Sequence, residues 1–302
     1  MQELSNRFIN YLEAERNASP YTVRNYTHDL RHFFDFLKTR PIESLKDVDK
    51  HVLRDYLSRL MEQGFSRSSI ARKLSAIRSF FDYLLREGIL SSNPAKTTSS
   101  PKLDRRLPSF LTVEQVVQLL SAPDLSKTAG LRDCAIMELL YSSGLRVSEV
   151  VNLNLEHIDL GSGEILVRGK GSKERVVLIG EPAKTALRNY LSEGRTQLFG
   201  ARIRLTKAIF INRRGDRLTE RTVQIRLNAL AKRAGIGKRV HPHLLRHTFA
   251  THLLNGGADL RVVQELLGHA HLSSTQIYTH VTKNQAKKVY LSAHPLAGEP
   301  KK

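Results

Sequence analysis

Positions 241–247 read HPHLLRH, which packs three of the chain's 12 histidines and an arginine into seven residues. Pro242 suits the first turn of a helix running on through FATHLL, with Leu245, Phe249 and Leu253 on its buried side and Leu244 beside it. His243 and Arg246 then share one face near the helix start, where free N–H groups and the positive end of the helix dipole lie. That is an arrangement for holding an anion. The competing chemistry is zinc, because His243 and His247 are spaced as a zinc helix would place them. Against it, Leu244 stands where a metalloprotease carries its general-base glutamate, no cysteine is at hand, and Arg246 would set a cation beside the metal.

Other chemistry-bearing residues are scattered along the chain. Arg146 in SSGLRVSE follows a helix-ending glycine, so its guanidinium can point outward. Lys170 sits at the tip of GKGSK. His269 directly follows Gly268 in QELLGHA, and Tyr278 comes nine residues later in a polar, serine-rich stretch. Taken singly, each reads as surface charge or as one more of the nine tyrosines.

The charge balance says what kind of anion to expect. Lys and Arg number 48 against 29 Asp and Glu, a net charge of +19 over 302 residues. So large an excess suits a polyanion and is rarely needed for solubility alone. The absence of tryptophan and an aromatic content of 7% argue against a platform for stacking single strands. Double-stranded DNA, held through its phosphates, fits better. A hydrophobic content of 40% is ordinary for a globular chain, long enough for two domains. No apolar run approaches a membrane span and MQELSNRFINYLEAER lacks a signal-peptide core, so no membrane partner and a cytoplasmic location are expected. The single cysteine, Cys134 in LRDCAIMELL, excludes an internal disulfide and reads as a small core residue. No P-loop is present and the GxG pieces lack a Rossmann context, so neither cofactor nor metal is expected.

The positioning elements follow from periodicity and caps. Residues 1–90 read as four amphipathic helices: one through Leu4, Phe8, Tyr11 and Leu12; one capped by Ser19 with Pro20 next, running to Leu37; one capped by Asp49 and ending at Gly64; and one opened by Ser66, striped with Ile70, Leu74, Ile77, Phe81 and Leu84. The other side of the fourth carries Arg67, Arg72, Lys73 and Arg78, a solvated or a DNA-facing surface. Residues 91–108, SSNPAKTTSSPKLDRRLP, read as a basic linker in which Lys96, Lys102, Arg105 and Arg106 could track a DNA backbone. Beyond it, Thr112 with Gln115 forms a capping box, a helix ends at Gly144, RVSEVVNL is a short helix, and GEILVRGKGSKERVVLI is a β-hairpin. AIFIN at 208–212 is expected as an edge strand, with helices near 181–193, 219–234, 242–255, 259–267, 273–279 and 283–291. The excess of basic residues is 3 in residues 1–90 and 13 in residues 111–302, so the second part seeks phosphate more strongly.

In order, Gly-Leu-Arg-x-x-Glu, a hairpin Gly-Lys-Gly, His-x-x-Arg-His, Leu-Leu-Gly-His and Tyr resemble the tyrosine site-specific recombinases of the phage integrase family. The resemblance covers the whole chain and is nearest to the bacterial Xer branch. The short N-terminus also favours that branch over phage integrases with an additional arm-binding domain. It implies a mainly α fold with a small β-sheet and two domains closing as a C-shaped clamp. These would be an N-terminal four-helix, SAM-like, DNA-binding domain (1–90) and, after the linker, a mixed α/β catalytic domain (109–302). A C-terminal tail would dock on a neighbouring protomer. By the same resemblance, Arg146 and Arg246 clamp the scissile phosphate and His243 and His269 assist with hydrogen bonds and proton transfer. Lys170 is the acid for the departing oxygen, Glu149 supports the site from beside Arg146, and Tyr278 is the nucleophile.

Such a set suits phosphoryl transfer without metal. In-line attack on a phosphodiester builds charge on the nonbridging oxygens, which two arginines can meet with planar paired donors. A phenol has a pKa of about 10, so a cationic pocket and a histidine would be needed to ready it. The product would be a 3′-phosphotyrosyl bond that keeps the phosphodiester energy for rejoining without ATP. The Xer resemblance further implies resolution of chromosome dimers at a dif-type site. The partners would be a paralogous recombinase in a heterotetramer, or a homotetramer, and an FtsK-like translocase. A mobile-element integrase, a type IB-like topoisomerase and a noncatalytic DNA-binding protein are the alternatives; the last would not need the ordered set.

Overall fold

The computed structural model describes residues 1–102, 109–168, 174–199, 206–268 and 288–297. The chain forms two compact units, Met1–Leu107 and Pro108–Lys302.

The first unit is helical: α1 (Gln2–Ala14), α2 (Pro20–Leu37), α3 (Lys50–Glu62) and α4 (Arg67–Arg86). Its helix starts follow from the expected caps. The Ser19 hydroxyl accepts from the Thr22 N–H, the Asp49 carboxylate from His51 and Val52, and the Ser66 hydroxyl from Ser69. Phe8, Leu30, Phe33, Leu53, Leu74 and Phe80 are wholly buried, and the Phe8 and Phe80 rings meet edge to face at 5.4 Å. Two expectations are corrected here. Lys73 does not face outward. It is 1% exposed, its ammonium 3.3 Å from the buried Asp29 carboxylate and over the Phe65 ring, while Arg72 binds the other Asp29 oxygen. The stripe assignment missed this because Lys73 lies beside Leu74, at the edge of the apolar face. Nor is the segment after residue 90 all linker. Asn93 binds the Ala95 N–H, the Arg78 carbonyl and Asp82, and Ala95 and Thr98 are buried. The segment is held mainly by hydrogen bonds, which hydrophobic periodicity does not register.

The second unit surrounds α6 (Thr128–Ser143). It follows α5 (Val113–Leu120), whose Thr112–Gln115 capping box forms as expected. Residues on every side of α6 are buried, including Arg132, Asp133, Ser142 and Ser143. After α7 (Val147–Val151), the strands β1 (Ile158–Asp159), β2 (Glu164–Arg168) and β3 (Glu174–Leu178) make an antiparallel sheet in that order. Pairing of Glu164 with Leu178 and Arg168 with Glu174 establishes the hairpin, whose turn lies outside the described residues. AIFIN is not an edge strand. Ala208 to Ile211 are wholly buried core, tied by isolated bridges from Ala208 to Asn154 and Ile211 to Arg217, and β1 takes the edge beside β2.

The helix expected at 181–193 is α8 (Glu181–Asn189), then a π-helical turn at Tyr190–Gly194 and α9 (Arg195–Phe199). There the buried Tyr190 hydroxyl donates to the Ile209 carbonyl. The chain continues through α10 (Glu220–Arg233), α11 (Pro242–Asn255) and α12 (Leu260–Leu267). Residues 288–293 are helical, while the helix expected at 273–279 and the start of the one at 283–291 lie outside the described residues. Cys134 is half-buried, and burial pushes its thiol up to about 11, away from ready reactivity. Among the described residues no helix is long and apolar enough to cross a membrane.

Residues 288–297, the described part of the tail expected to dock on a neighbour, pack within their own unit. Tyr290, Ala293 and Ala297 pack with Phe249, Leu253, Val263 and Leu267. The Ala293 carbonyl oxygen would stand 2.2 Å from a Cβ on Gly256, so only glycine allows that approach. The His294 ring lies 4.8 Å from Tyr141 and 5.1 Å from Tyr290. Burial lowers its pKa to about 4.

Two outcomes are expected. Asp29→Ala leaves the Lys73 ammonium buried without its counter-ion and should cost about 3–5 kcal/mol in urea unfolding, whereas exchange of an exposed lysine such as Lys38 should change little. His294 titrates near 6.5 when unfolded and near 4 when folded. Its contribution is therefore complete above pH ~6.5 and is lost as the pH falls toward 4. Thermal melts should show that acid-side loss, and His294→Phe should flatten it.

Candidate active site

Two helix ends converge in the second unit. Gly144 closes α6 at φ 60°, a left-handed conformation. A Cβ there would also lie 2.5 Å from the Phe249 ring and 3.0 Å from Leu267. Glycine thus lets α6 end against α11 and α12. Arg146 follows as the N-cap residue of α7. Its N–H donates to Glu149 Oε2 at 2.8 Å and its Nη1 to Oε1 at 3.1 Å.

HPHLLRH proves to be the opening of α11. His241 is the N-cap, its Nδ1 accepting from the Leu244 N–H at 3.1 Å. That requires Nδ1 to be unprotonated, and burial, followed by His243 and Arg239, lowers the His241 pKa accordingly. Pro242 sits in the first turn. His243 is exposed near the helix start and Arg246 lies one turn on, half-buried. Leu245, Phe249 and Leu253 are buried as expected, and Leu244 beside them is buried too.

Arg246 reaches across to both helix ends. Its Nη1 donates to the Gly144 carbonyl at 2.6 Å and its Nη2 to the Leu267 carbonyl at 2.6 Å. These are terminal carbonyls of α6 and α12, where the helix dipole favours a cation. Burial, Arg146 and Arg175 nevertheless lower the Arg246 pKa to about 10, with Glu149 opposing. It remains charged at neutral pH. Residues a hundred positions apart, Arg146 and Arg246, thus share one electrostatic neighbourhood.

Arg175 was not singled out by the sequence reading. It stands on β3 and donates to Glu149 through Nη1 at 2.8 Å and Nη2 at 2.9 Å. Burial would push the Glu149 carboxyl up; the hydrogen bonds from Arg175 and the Arg146 N–H, together with both charges, outweigh it and hold the pKa down. Two guanidinium groups on one carboxylate, with that of Arg246 close enough to feel their charges, leave a net positive basin suited to an anion. Alternation on β3 carried a signal for Arg175: it shares a strand face with the buried Val177, and a charge on such a face needs a partner.

The structure thus brings together Arg146, Glu149 and Arg246, with His243 on the same helix as Arg246. Lys170, His269 and Tyr278 lie outside the described residues. Their neighbours in sequence are described: Arg168 ends β2, and Gly268, the residue before His269, ends α12 in a left-handed conformation. Of the proposed DNA contacts on α4 and beyond, Arg67 and Lys102 are exposed, and the Arg72 side chain is 42% exposed while paired with Asp29. Lys73 is unavailable. Arg78 is corrected too: its guanidinium is occupied by the carbonyls of Ala95 and Thr98 and the Ser100 hydroxyl. Arg105 and Arg106 lie outside the described residues.

Comparison with known proteins places this geometry. Residues 109–285 match the phage integrase family, and residues 6–88 match the phage integrase N-terminal SAM-like domain. Tyrosine recombinase XerC of Oceanobacillus iheyensis is 49% identical over 290 residues, covering 96% of this chain and 95% of that protein. XerC of Anoxybacillus flavithermus is 49% identical, covering 97% of each. Among solved structures, XerH recombinase bound to a palindromic difH substrate in a post-cleavage complex aligns with a TM-score of 0.70 at 25% identity. It covers 95% of this chain and 84% of that one. A lambda integrase dimer on a core site shares the fold, with a TM-score of 0.70 at 19% identity over 95% of each chain. The chain therefore belongs to the phage integrase family of tyrosine recombinases, enzymes that break and rejoin DNA at specific sites.

Proposed function

We propose that the cationic basin around Glu149 holds the scissile phosphate of a dif-type site, and that the chain resolves chromosome dimers before cell division. The observation that carries the reading is the convergence of Arg146 and Arg246 beside the Gly144 helix end, with Glu149 locking Arg146 from behind. The Xer names of the relatives support the choice of site.

In this reading Arg146 and Arg246 bind the nonbridging oxygens, and their charge stabilises the five-coordinate transition state. Tyr278 Oη forms a bond to phosphorus as the bond to the 5′ oxygen breaks. The phenol proton passes toward a histidine, His243 or His269. Lys170 protonates the departing 5′ oxygen. The 3′-phosphotyrosyl bond then yields to the 5′-hydroxyl of the partner strand, which releases Tyr278 and restores the phosphodiester. Exposed basic groups of the first unit, Arg67, Arg72 and Lys102, would contact backbone phosphates. Four protomers would assemble on paired sites, with a paralogous recombinase or with copies of this chain, under an FtsK-like translocase in the cytoplasm.

On a nicked suicide duplex carrying the site, the wild type should form a covalent adduct on a denaturing gel, and Tyr278→Phe should form none. Relaxation of plasmid lacking any site, without such selectivity, would instead favour a topoisomerase. Arg246→Ala should slow adduct formation about 10²–10³-fold, as loss of a transition-state donor does. Cleavage should proceed in EDTA; inhibition reversed by one divalent ion would contradict the arginine clamp.

A further inference from the structure

We infer that Arg175 is a positioning residue for strand cleavage, orienting Arg146 through Glu149 and bracing the backbone at Gly268, the residue before His269. The inference rests on the recombination reading and deepens it.

The Glu149 carboxylate is filled from two sides. Oε1 accepts from Arg175 Nη1 at 2.8 Å and Arg146 Nη1 at 3.1 Å. Oε2 accepts from Arg175 Nη2 at 2.9 Å and the Arg146 backbone N–H at 2.8 Å. Four hydrogen bonds use the lone-pair directions a carboxylate offers. The planar fork of Arg175 fixes the carboxylate's plane, and that plane fixes where Arg146 must lie. Arg175 also shares the negative charge. Without it, Glu149 becomes the counter-ion of Arg146 alone, and the basin loses one positive charge.

Burial separates Arg175 from the ligand-facing groups. Its side chain is 15% exposed, against 42% for Arg146. Arg146 is therefore placed to touch phosphate, and Arg175 to act through it. The same guanidinium lies on the bare Cα of Gly268: a Cβ there would stand 2.7 Å from Arg175 Nε and 2.9 Å from Cζ. Next to Gly268, the Leu267 carbonyl accepts from Arg246. The end of α12 thus meets two arginines from different elements, Arg246 by a hydrogen bond and Arg175 by close packing. Arg175 belongs to β3, which follows the hairpin turn bearing Lys170. One side chain joins the hairpin, the Arg146 helix and the chain leading to His269.

The test compares wild type, Arg175→Lys, Arg175→Met, Glu149→Gln and the Arg175→Met/Glu149→Gln double variant. Three quantities are read: urea unfolding, affinity for a single-site duplex, and the rate of covalent adduct formation on the nicked duplex. Arg175→Lys should fold and bind within about threefold of wild type while cleaving about 10²-fold more slowly, as expected for a displaced clamp. Lysine keeps the charge but not the fork. The double variant should cleave little more slowly than its worse single parent, because both changes break one linkage. Cleavage by Arg175→Lys at the wild-type rate would overturn the proposal. So would multiplicative losses in the double variant, or a fall in cleavage matched by equal falls in stability and affinity. Failure of the wild type itself to form an adduct would instead sink the recombination reading, and the positioning role with it.

Discussion

A half-buried site in which one carboxylate pairs with two guanidinium groups beside a third is the constraint on which the catalytic unit depends. Like charges this close repel, and burial removes the water that would screen them. Glu149 offsets part of that repulsion, and the Gly144 and Leu267 carbonyls offset more where Arg246 enters. The glycine at 144 permits the left-handed helix end and the close approach of Phe249, so the backbone that accepts from Arg246 also places Arg146 two residues later. Fold and charge are solved together at this point. A change to the packing of α6 on α11 is therefore a change to the electrostatics of the basin.

The net charge of +19 overstates the charge available to DNA. Arg132 is buried against Asp133 and the Ile211 carbonyl. Arg217 binds the Val151 and Leu153 carbonyls, Arg195 those of Thr206 and Ala208, and Arg78 those of Ala95 and Thr98. These side chains tie loop carbonyls to helices where no regular ladder satisfies them. Arginine suits the task because its planar donors reach two acceptors at once. In this molecule a basic residue facing a helix's polar side is as much a structural tie as a phosphate contact, and Lys73 shows that it can even be core.

The sequence was most legible where one local rule decides the outcome. Ser19, Asp49, Ser66 and Thr112 start helices because their side chains bind nearby N–H groups. Gly144 ends one because of its backbone freedom, and the hairpin shows in its alternation. Where several distant segments decide together, local reading failed. AIFIN has strand composition, yet its neighbours bury it as irregular core. Residues 91–102 look like solvent-exposed linker, yet Asn93 and Arg78 tie part of them down. His241 carried no assignment of its own, yet its ring nitrogen caps α11. Of the site, Arg146, Glu149, His243 and Arg246 were legible from ordered motifs. Arg175 was not, because its meaning depends on a carboxylate 26 positions away.

Arg246 is held in place by backbone carbonyls. A free arginine side chain carries about 2 kcal/mol of rotamer entropy, which a ligand must ordinarily extract on binding. Here two helix termini have already removed it during folding, so in the proposed reading an incoming oxyanion would meet a donor edge whose direction was settled beforehand. Freezing is done once, when the polypeptide collapses, and is not repeated at each turnover.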